Sequence, residues 1–197
     1  MPYNKYIHNR RSVRLRGWDY SQSGFYFVTI CTQDRVNLFG DIVDGEMVLN
    51  DYGVIAREQW FELGNRFPNI FLDAFCIMPN HIHGIIVINE SDLIGAQTRI
   101  QNGSQTRAQA SSAPTLGAII RAYKSLTVKH IINLDTRIVG APLACAHDNN
   151  CAHDNNKIGK IFQRNYHEHI IRNQKSYDII SKYIRENPLN WEKDSLK

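Results

Sequence analysis

Two histidines one residue apart, His81-Ile82-His83, and a tyrosine and an asparagine four apart, Tyr183 and Asn187, are the residues whose types and spacing could do chemistry. Side chains two apart on a strand share a face, so His81 and His83 project together and their imidazoles can converge on one cation. Residues four apart on a helix also share a face, which sets Tyr183 and Asn187 along the edge of a core stripe formed by Tyr177, Ile180 and Ile184. A divalent cation held by two imidazoles and an amide oxygen keeps open positions for phosphate oxygens and can polarise a phosphodiester. A phenol, with an ordinary pKa of about 10, becomes a useful nucleophile once a cation favours phenolate, and it then forms a covalent phosphotyrosine link. Such a link stores the bond energy, which agrees with the lack of any GxxxxGK[ST] phosphate loop in the chain. Blander readings stand beside these: one of the two histidines as a satisfied core residue and the other as its solvent-facing neighbour, Tyr183 as a half-buried packing aromatic, and Asn187 as the helix end before Pro188.

These residues need a strand and a helix brought face to face. The run Phe25-Tyr26-Phe27-Val28-Thr29-Ile30 after Gly24 reads as a first strand. Gly40–Val43 and Glu46–Leu49 flank Asp44-Gly45, the signature of a type I′ hairpin, and form a ribbon. Tyr52 to about Arg66 reads as an amphipathic helix through Val54, Ile55, Trp60, Phe61 and Leu63. Strands at about Ile70–Met78 and His81–Ile88 follow, separated by Pro79-Asn80. Pro114 opens a long amphipathic helix with Leu116, Ile119, Ile120, Tyr123, Leu126, Ile131 and Leu134 inside and Arg121, Lys124 and Lys129 outside. Ile161–Ile171 reads as a last strand, and Asn173–Asn187 as a closing helix ahead of Pro188. The expected fold is therefore α+β: a ferredoxin-like antiparallel sheet in a split βαββαβ order with helices on one face, plus a β-ribbon and a C-terminal helix bearing the tyrosine.

Two polar inserts interrupt this plan, at about 89–113, where Gln-Thr-Arg recurs at 97–99 and 105–107, and at about 136–157, where Cys-Ala-His-Asp-Asn-Asn is repeated at 145–150 and 151–156. The 197 residues otherwise suit one domain over 1–197, with 43% hydrophobic content to build its core. A net charge of +4 permits a nucleic-acid partner without demanding one. Arg10, Arg11, Arg14 and Arg16 form an N-terminal basic arm suited to phosphate contacts or to plain solvation. Cys31, Cys76, Cys145 and Cys151 show no CxxC pair, which reads as reduced thiols and a cytoplasmic setting; no apolar run reaches membrane-spanning length, so no membrane role is expected.

Other signals weigh less. His167 and His169 form a second His-x-His, read as packing or DNA-facing rather than metal-binding. Cys145, His147, Cys151 and His153 match no zinc-finger spacing, and tandem duplication explains their pattern. No general base stands out; Lys182 and His169 are the candidates. The rival from another class is a non-catalytic, RNA-binding module of RRM type, because Gly24-Phe25-Tyr26-Phe27-Val28 partly matches an aromatic RNP1 strand.

Taken together, an HUH strand and a C-terminal Tyr-x-x-x-Asn-Pro helix resemble the HUH single-tyrosine transposases, which include the REP-associated tyrosine transposases and insertion-sequence relatives. Phe27-Val28-Thr29-Ile30-Cys31-Thr32 looks like that family's first strand, Met78-Pro79-Asn80-His81-Ile82-His83 like its metal strand, and Tyr166-His167-Glu168-His169-Ile170-Ile171-Arg172 like the strand before its tyrosine helix. The likeness spans nearly the whole chain apart from the inserts, which depart from the compact members. It implies His81 and His83 as metal ligands, Asn187 as a third where insertion-sequence relatives often carry Gln, and Tyr183 as the nucleophile. It further implies Mg²⁺ or Mn²⁺ and single-stranded DNA with a hairpin as partner, nicked to leave a 5′-phosphotyrosine and a free 3′-OH. Arg10, Arg11, Arg14, Arg16, Lys124, His169 and Arg172 are the DNA-contact candidates. A cytoplasmic protein, nucleoid-associated on its DNA and either monomeric or a homodimer with the tyrosine helix acting across subunits, completes the expectation. A replication initiator or relaxase would share the chemistry, but the tyrosine motif is closer to the transposases.

Overall fold

The computed structural model describes residues 15, 17–89, 114–138 and 160–197, with the side chains of 136–138 left aside. The expected basic arm, the first insert from residue 90 on and the Cys/His repeat lie outside them.

The chain folds as α+β, with a four-stranded antiparallel sheet, a two-stranded ribbon and three main helices. Strands β1 (Gly24–Cys31), β4 (Ile70–Met78), β5 (His81–Ile88) and β6 (His167–Ile171) form the sheet in the order β4-β5-β1-β6. β2 (Gly40–Val43) and β3 (Glu46–Leu49) form the ribbon, and both turn residues, Asp44 at φ 51° and Gly45 at φ 81°, take the left-handed conformation that a type I′ turn demands. Helix α1 (Asp51–Arg66) is capped by Asn50, whose side chain accepts from the Gly53 N–H, and α3 (Gln174–Glu186) by Asn173, which accepts from the Ser176 N–H. Between them runs α2 (Leu116–Ile138).

Alternation along the central strands divides the sheet into two faces. Tyr26, Val28 and Ile30 of β1 and Ile82, Ile86 and Ile88 of β5 face α1 and α2, where Trp60, Leu63, Leu116, Ile119 and Tyr123 complete a core without solvent access. The opposite set, including Phe27, Ile85, Val87 and Ile171, packs against Tyr177, Ile180 and Ile184 of α3. The tyrosine-bearing helix thus takes the sheet face that α1 and α2 leave open, and His81 and His83, in phase with Ile85 and Val87, point toward it.

Gly84 lies on the α1 side of β5, where the Trp60 indole crosses the backbone. A Cβ there would fall 2.6 Å from Trp60 Cη2 and closer still to Cζ2. Trp60 cannot retreat, because it stacks on Phe75 at 4.7 Å and meets Tyr123 edge-on at 5.5 Å. Gly84→Ala is therefore expected to destabilise the fold by about 3 kcal/mol in urea unfolding, the upper end of ordinary overpacking costs. A loss under about 1 kcal/mol would show that the indole has room.

Three expectations need correction. The last strand is not Ile161–Ile171: regular pairing covers only His167–Ile171, preceded by a single bridge from Phe162 to Thr32. Lys124 causes the break, since its ammonium takes the carbonyls of Gln163 at 2.8 Å and Asn165 at 2.9 Å and draws them off the ladder. For the same reason Lys124 does not stand outside α2; burial lowers its pKa to about 8. Lastly, α2 continues to Ile138, past the expected start of the second insert at 136, with Asp135 near its end accepting a 2.6 Å hydrogen bond from the Tyr52 hydroxyl.

Candidate active site

The His81-Ile82-His83 step begins β5 right after the Pro79-Asn80 turn, and both imidazoles are buried. Each is oriented from behind. Asn80 spends its amide nitrogen on the carbonyls of Leu196, at 2.9 Å, and Arg35, at 3.3 Å, so its oxygen is left to accept from His81 Nδ1 at 2.7 Å. That assignment makes Nδ1 the protonated nitrogen of a neutral His81 and leaves a lone pair on Nε2. His83 Nδ1 lies 2.9 Å from the hydroxyl of Thr29, its ladder partner on β1. The two Nε2 atoms then stand 3.0 Å apart, aimed at a common point.

Tyr183 comes to the same point from α3. Its hydroxyl lies 3.2 Å from His83 Nε2, while the ring is 45% exposed and meets Phe27 edge-on at 6.3 Å. Phe27 in turn stacks on the His83 ring at 5.4 Å and holds it in plane. One turn beyond Tyr183, Asn187 is buried, and its side-chain oxygen has no hydrogen-bond partner.

Asp194 is the residue that spacing along the chain did not reveal. After α3 a 3₁₀ turn over Pro188–Lys193 folds back across the site, burying Trp191 with its ring 6.1 Å from His81. The turn ends at Asp194, whose Oδ2 lies 3.6 Å from His81 Nε2 and otherwise has no hydrogen-bond partner. His81, His83 and Asp194 form a cluster that could hold a metal ion, with ligand atoms all within 4.8 Å of one another. Only the tertiary path of the tail brings this carboxylate in. Asn80 and Thr29, which set the imidazole orientations, were visible as neighbours in sequence or register but carried no ligand spacing of their own.

The donor set fits a divalent cation. Two imidazole nitrogens at 3.0 Å have the spacing of adjacent corners of an octahedron with bonds of about 2.1 Å. The buried Asp194 oxygen, which lacks a hydrogen-bond partner, adds an oxygen donor to the two nitrogens. Electrostatics agree: burial pushes the His81 pKa down to about 4, against the pull of Asp194, and pushes His83 well below its ordinary value with help from His81. Both rings are then neutral near pH 7, the form that ligates metal. Burial first, then Asp194, raises the Tyr183 pKa, while the Asn187 side chain beside it works the other way. The phenol is accordingly neutral near pH 7, and a positive charge is needed to ionise it.

The depressed histidines have a consequence for stability. Between pH about 6.5, where unfolded histidine titrates, and about 4, where folded His81 does, the unfolded chain binds more protons than the folded one. Without metal, stability is expected to fall as pH drops through that window, by up to about 1.4 kcal/mol per unit for each histidine. Urea unfolding in a chelator from pH 7 to 4 checks this, with His81→Gln expected to flatten the slope by nearly one proton. An unchanged slope would mean that His81 is charged in the fold.

The remaining candidates are dispersed. His169, opposite Phe27 in the ladder, is exposed on the face that carries His83, and Arg172 stands at the β6–α3 junction with its guanidinium 5.8 Å over the Trp18 ring. Lys182 is exposed and pairs with Glu186 at 3.8 Å. His167 lies opposite Thr29. Cys31 and Cys76 are free thiols, and among the described residues no helix is long and apolar enough to cross a membrane.

No protein-family model matches the chain. An uncharacterized protein of Haemophilus influenzae is 38% identical over 194 residues, covering 98% of this chain and 96% of that protein. Among solved structures, a REP-associated tyrosine transposase bound to a REP hairpin superposes with a TM-score of 0.51 at 17% identity, over 90% of this chain and 73% of the other. The fold is thus similar to that of a tyrosine transposase, and the His81/His83 group is HUH-like.

Proposed function

The chain belongs to one family with the uncharacterized Haemophilus influenzae protein, and from that premise, the transposase-like fold and the site above, we propose that it is a single-tyrosine HUH transesterase that nicks and rejoins single-stranded DNA. One observation carries the reading: the Tyr183 hydroxyl lies 3.2 Å from a buried imidazole whose own Nε2 is 3.0 Å from a second. We read residues 1–197 as one such domain. Its core is ferredoxin-like, since β1, α1, β4, β5, α2 and β6 follow the βαββαβ order with the third strand lying between the second and the first.

His81 and His83, with Asn187 or Asp194, would hold Mg²⁺ or Mn²⁺; the imidazoles favour Mn²⁺ of the two. When bound, the ion supplies positive charge for a phosphate oxygen and for an ionising phenol. Tyr183 Oη forms a bond to phosphorus as the bond from phosphorus to the 3′ oxygen breaks, and the leaving oxygen departs as a 3′-OH after taking up a proton. A 5′-phosphotyrosine remains, and attack by a 3′-OH reverses the step and frees the phenol. Phe27 and Thr29 keep His83 in position throughout. The tyrosine reaches a histidine of its own chain, so the reading needs no second subunit for the nick.

The substrate in this reading is a strand with a hairpin, held by His169 beside the site, by Arg172 at the far end of β6 and by Arg10, Arg11, Arg14 and Arg16 of the arm. The test is incubation with labelled hairpin oligonucleotides and Mn²⁺, followed by denaturing electrophoresis. A protein-linked 3′ label and a shortened free strand carrying the 5′ label are expected; a metal-loaded protein that binds such DNA but never forms the adduct would refute the reading and favour a binding module.

A further inference from the structure

The sheet face that carries the histidines extends beyond them. β1 sends Phe25, Phe27 and Thr29 to it in turn. Phe27 and Thr29 serve His83, as described, but Phe25 serves nothing at the metal-binding pair. Its ladder partners Val87 and Ile171 are 8% and 7% exposed, whereas Phe25 keeps 41% of its surface in solvent. It meets Tyr177 edge-on at 5.8 Å and lines a cavity of about 430 Å³ with Ile171, Arg172, Asn173, Gln174 and Tyr177.

We infer that this cavity receives one unpaired nucleobase of the strand bound at the histidines, stacked on Phe25 and met at its edge by Arg172 and the amides of Asn173 and Gln174. The inference rests on the nicking reading above. Several observations point to a base. The volume lies within the range of small-ligand sites, and one apolar ring beside a polar, cationic rim matches a ligand with a π-face and a hydrogen-bonding edge. The rim is ordered in advance: the Asn173 oxygen is held by the Ser176 N–H, the Gln174 nitrogen donates to Asp178 at 2.7 Å, and the Arg172 guanidinium rests over Trp18. Those bonds leave the Asn173 nitrogen and the Gln174 oxygen able to meet a base.

The wall opposite Phe25 is also fixed. The Tyr177 hydroxyl donates to Asp73 Oδ2 at 2.5 Å, and Asp73 sits in the irregularity where Asp73 and Ala74 interrupt the β4–β5 register. Position completes the case. Phe25 is four residues from Thr29 on one strand, or about 13 Å, so a DNA strand with its phosphate at His83 can lay a nearby base on Phe25.

The test uses Tyr183→Phe protein, which cannot cut, and hairpin oligonucleotides carrying 2-aminopurine or an abasic site at successive positions beside the stem. One position is expected to show quenched 2-aminopurine fluorescence on binding, and an abasic site there should weaken binding about tenfold. Phe25→Ala should abolish both effects at that position alone, Phe25→Tyr should keep them, and Arg172→Gln should reduce affinity more for the intact strand than for the abasic one. If wild-type protein forms the DNA adduct and no position depends on Phe25, the base cavity is overturned and nicking stands. If a Phe25-dependent position exists without any adduct, nicking falls and the cavity stands. A change in oligomeric state as the only effect of Phe25→Ala would overturn the inference in favour of an interface between copies.

Discussion

Tyr183→Phe is expected to remove the covalent DNA adduct altogether and to lower nicking by at least about a thousandfold, with hairpin affinity and stability near wild type. The size follows from the role: the phenol oxygen is the atom that bonds to phosphorus, and no other group among the described residues shares its position beside His83. The substitution removes little else. The ring is 45% exposed, its edge contact with Phe27 survives in phenylalanine, and the hydrogen bonds given up are those of the hydroxyl to His83 and to the Asn187 side chain. A gel-shift titration, an unfolding curve and an adduct assay on one preparation separate the outcomes. Adduct formation that persists in Tyr183→Phe would move the nucleophile elsewhere, with Tyr177 the first residue to examine on the same helix.

His83→Ala is expected to weaken Mn²⁺ binding by more than the ten- to hundredfold typical of losing an outer hydrogen-bond partner, and to bring nicking to background. His83 is the hinge of the site: its Nε2 faces both His81 and Tyr183, and its Nδ1 is set by Thr29. Calorimetric titration of Mn²⁺ into the DNA-free protein reads the first effect without reference to catalysis. Thr29→Val should fall within the ten- to hundredfold range, because the ligand would remain and only its orientation would loosen. The same titration on Asn187→Ala and Asp194→Ala decides which buried oxygen completes the set, since the one that ligates should cost more. Unchanged Mn²⁺ affinity in His83→Ala would remove the proposed centre.

Much of this protein is written in local pattern. The strand at Gly24–Cys31, the ribbon about Asp44-Gly45, the helix at Asp51–Arg66 and the two strands at Ile70–Met78 and His81–Ile88 follow from residue periodicity and turn chemistry, which act within a few residues. The phase of His81 and His83 on their strand, and of Tyr183 and Asn187 on their helix, is likewise a local property. That those two pairs meet depends on strand order: β5 lies next to β1, and α3 crosses the face opposite α1 and α2.

The rest required distant groups to compete. The last strand is short because Lys124, some forty positions earlier, offers its carbonyls a charged partner stronger than a ladder hydrogen bond. Asp194 enters the site because the buried Trp191 and the two carbonyls held by Asn80 and Arg35, those of Leu196 and Ser195, fold the tail over His81. No periodicity along a single segment encodes either contact. Local sequence determines which face a side chain occupies, and only the packed chain decides what it finds there.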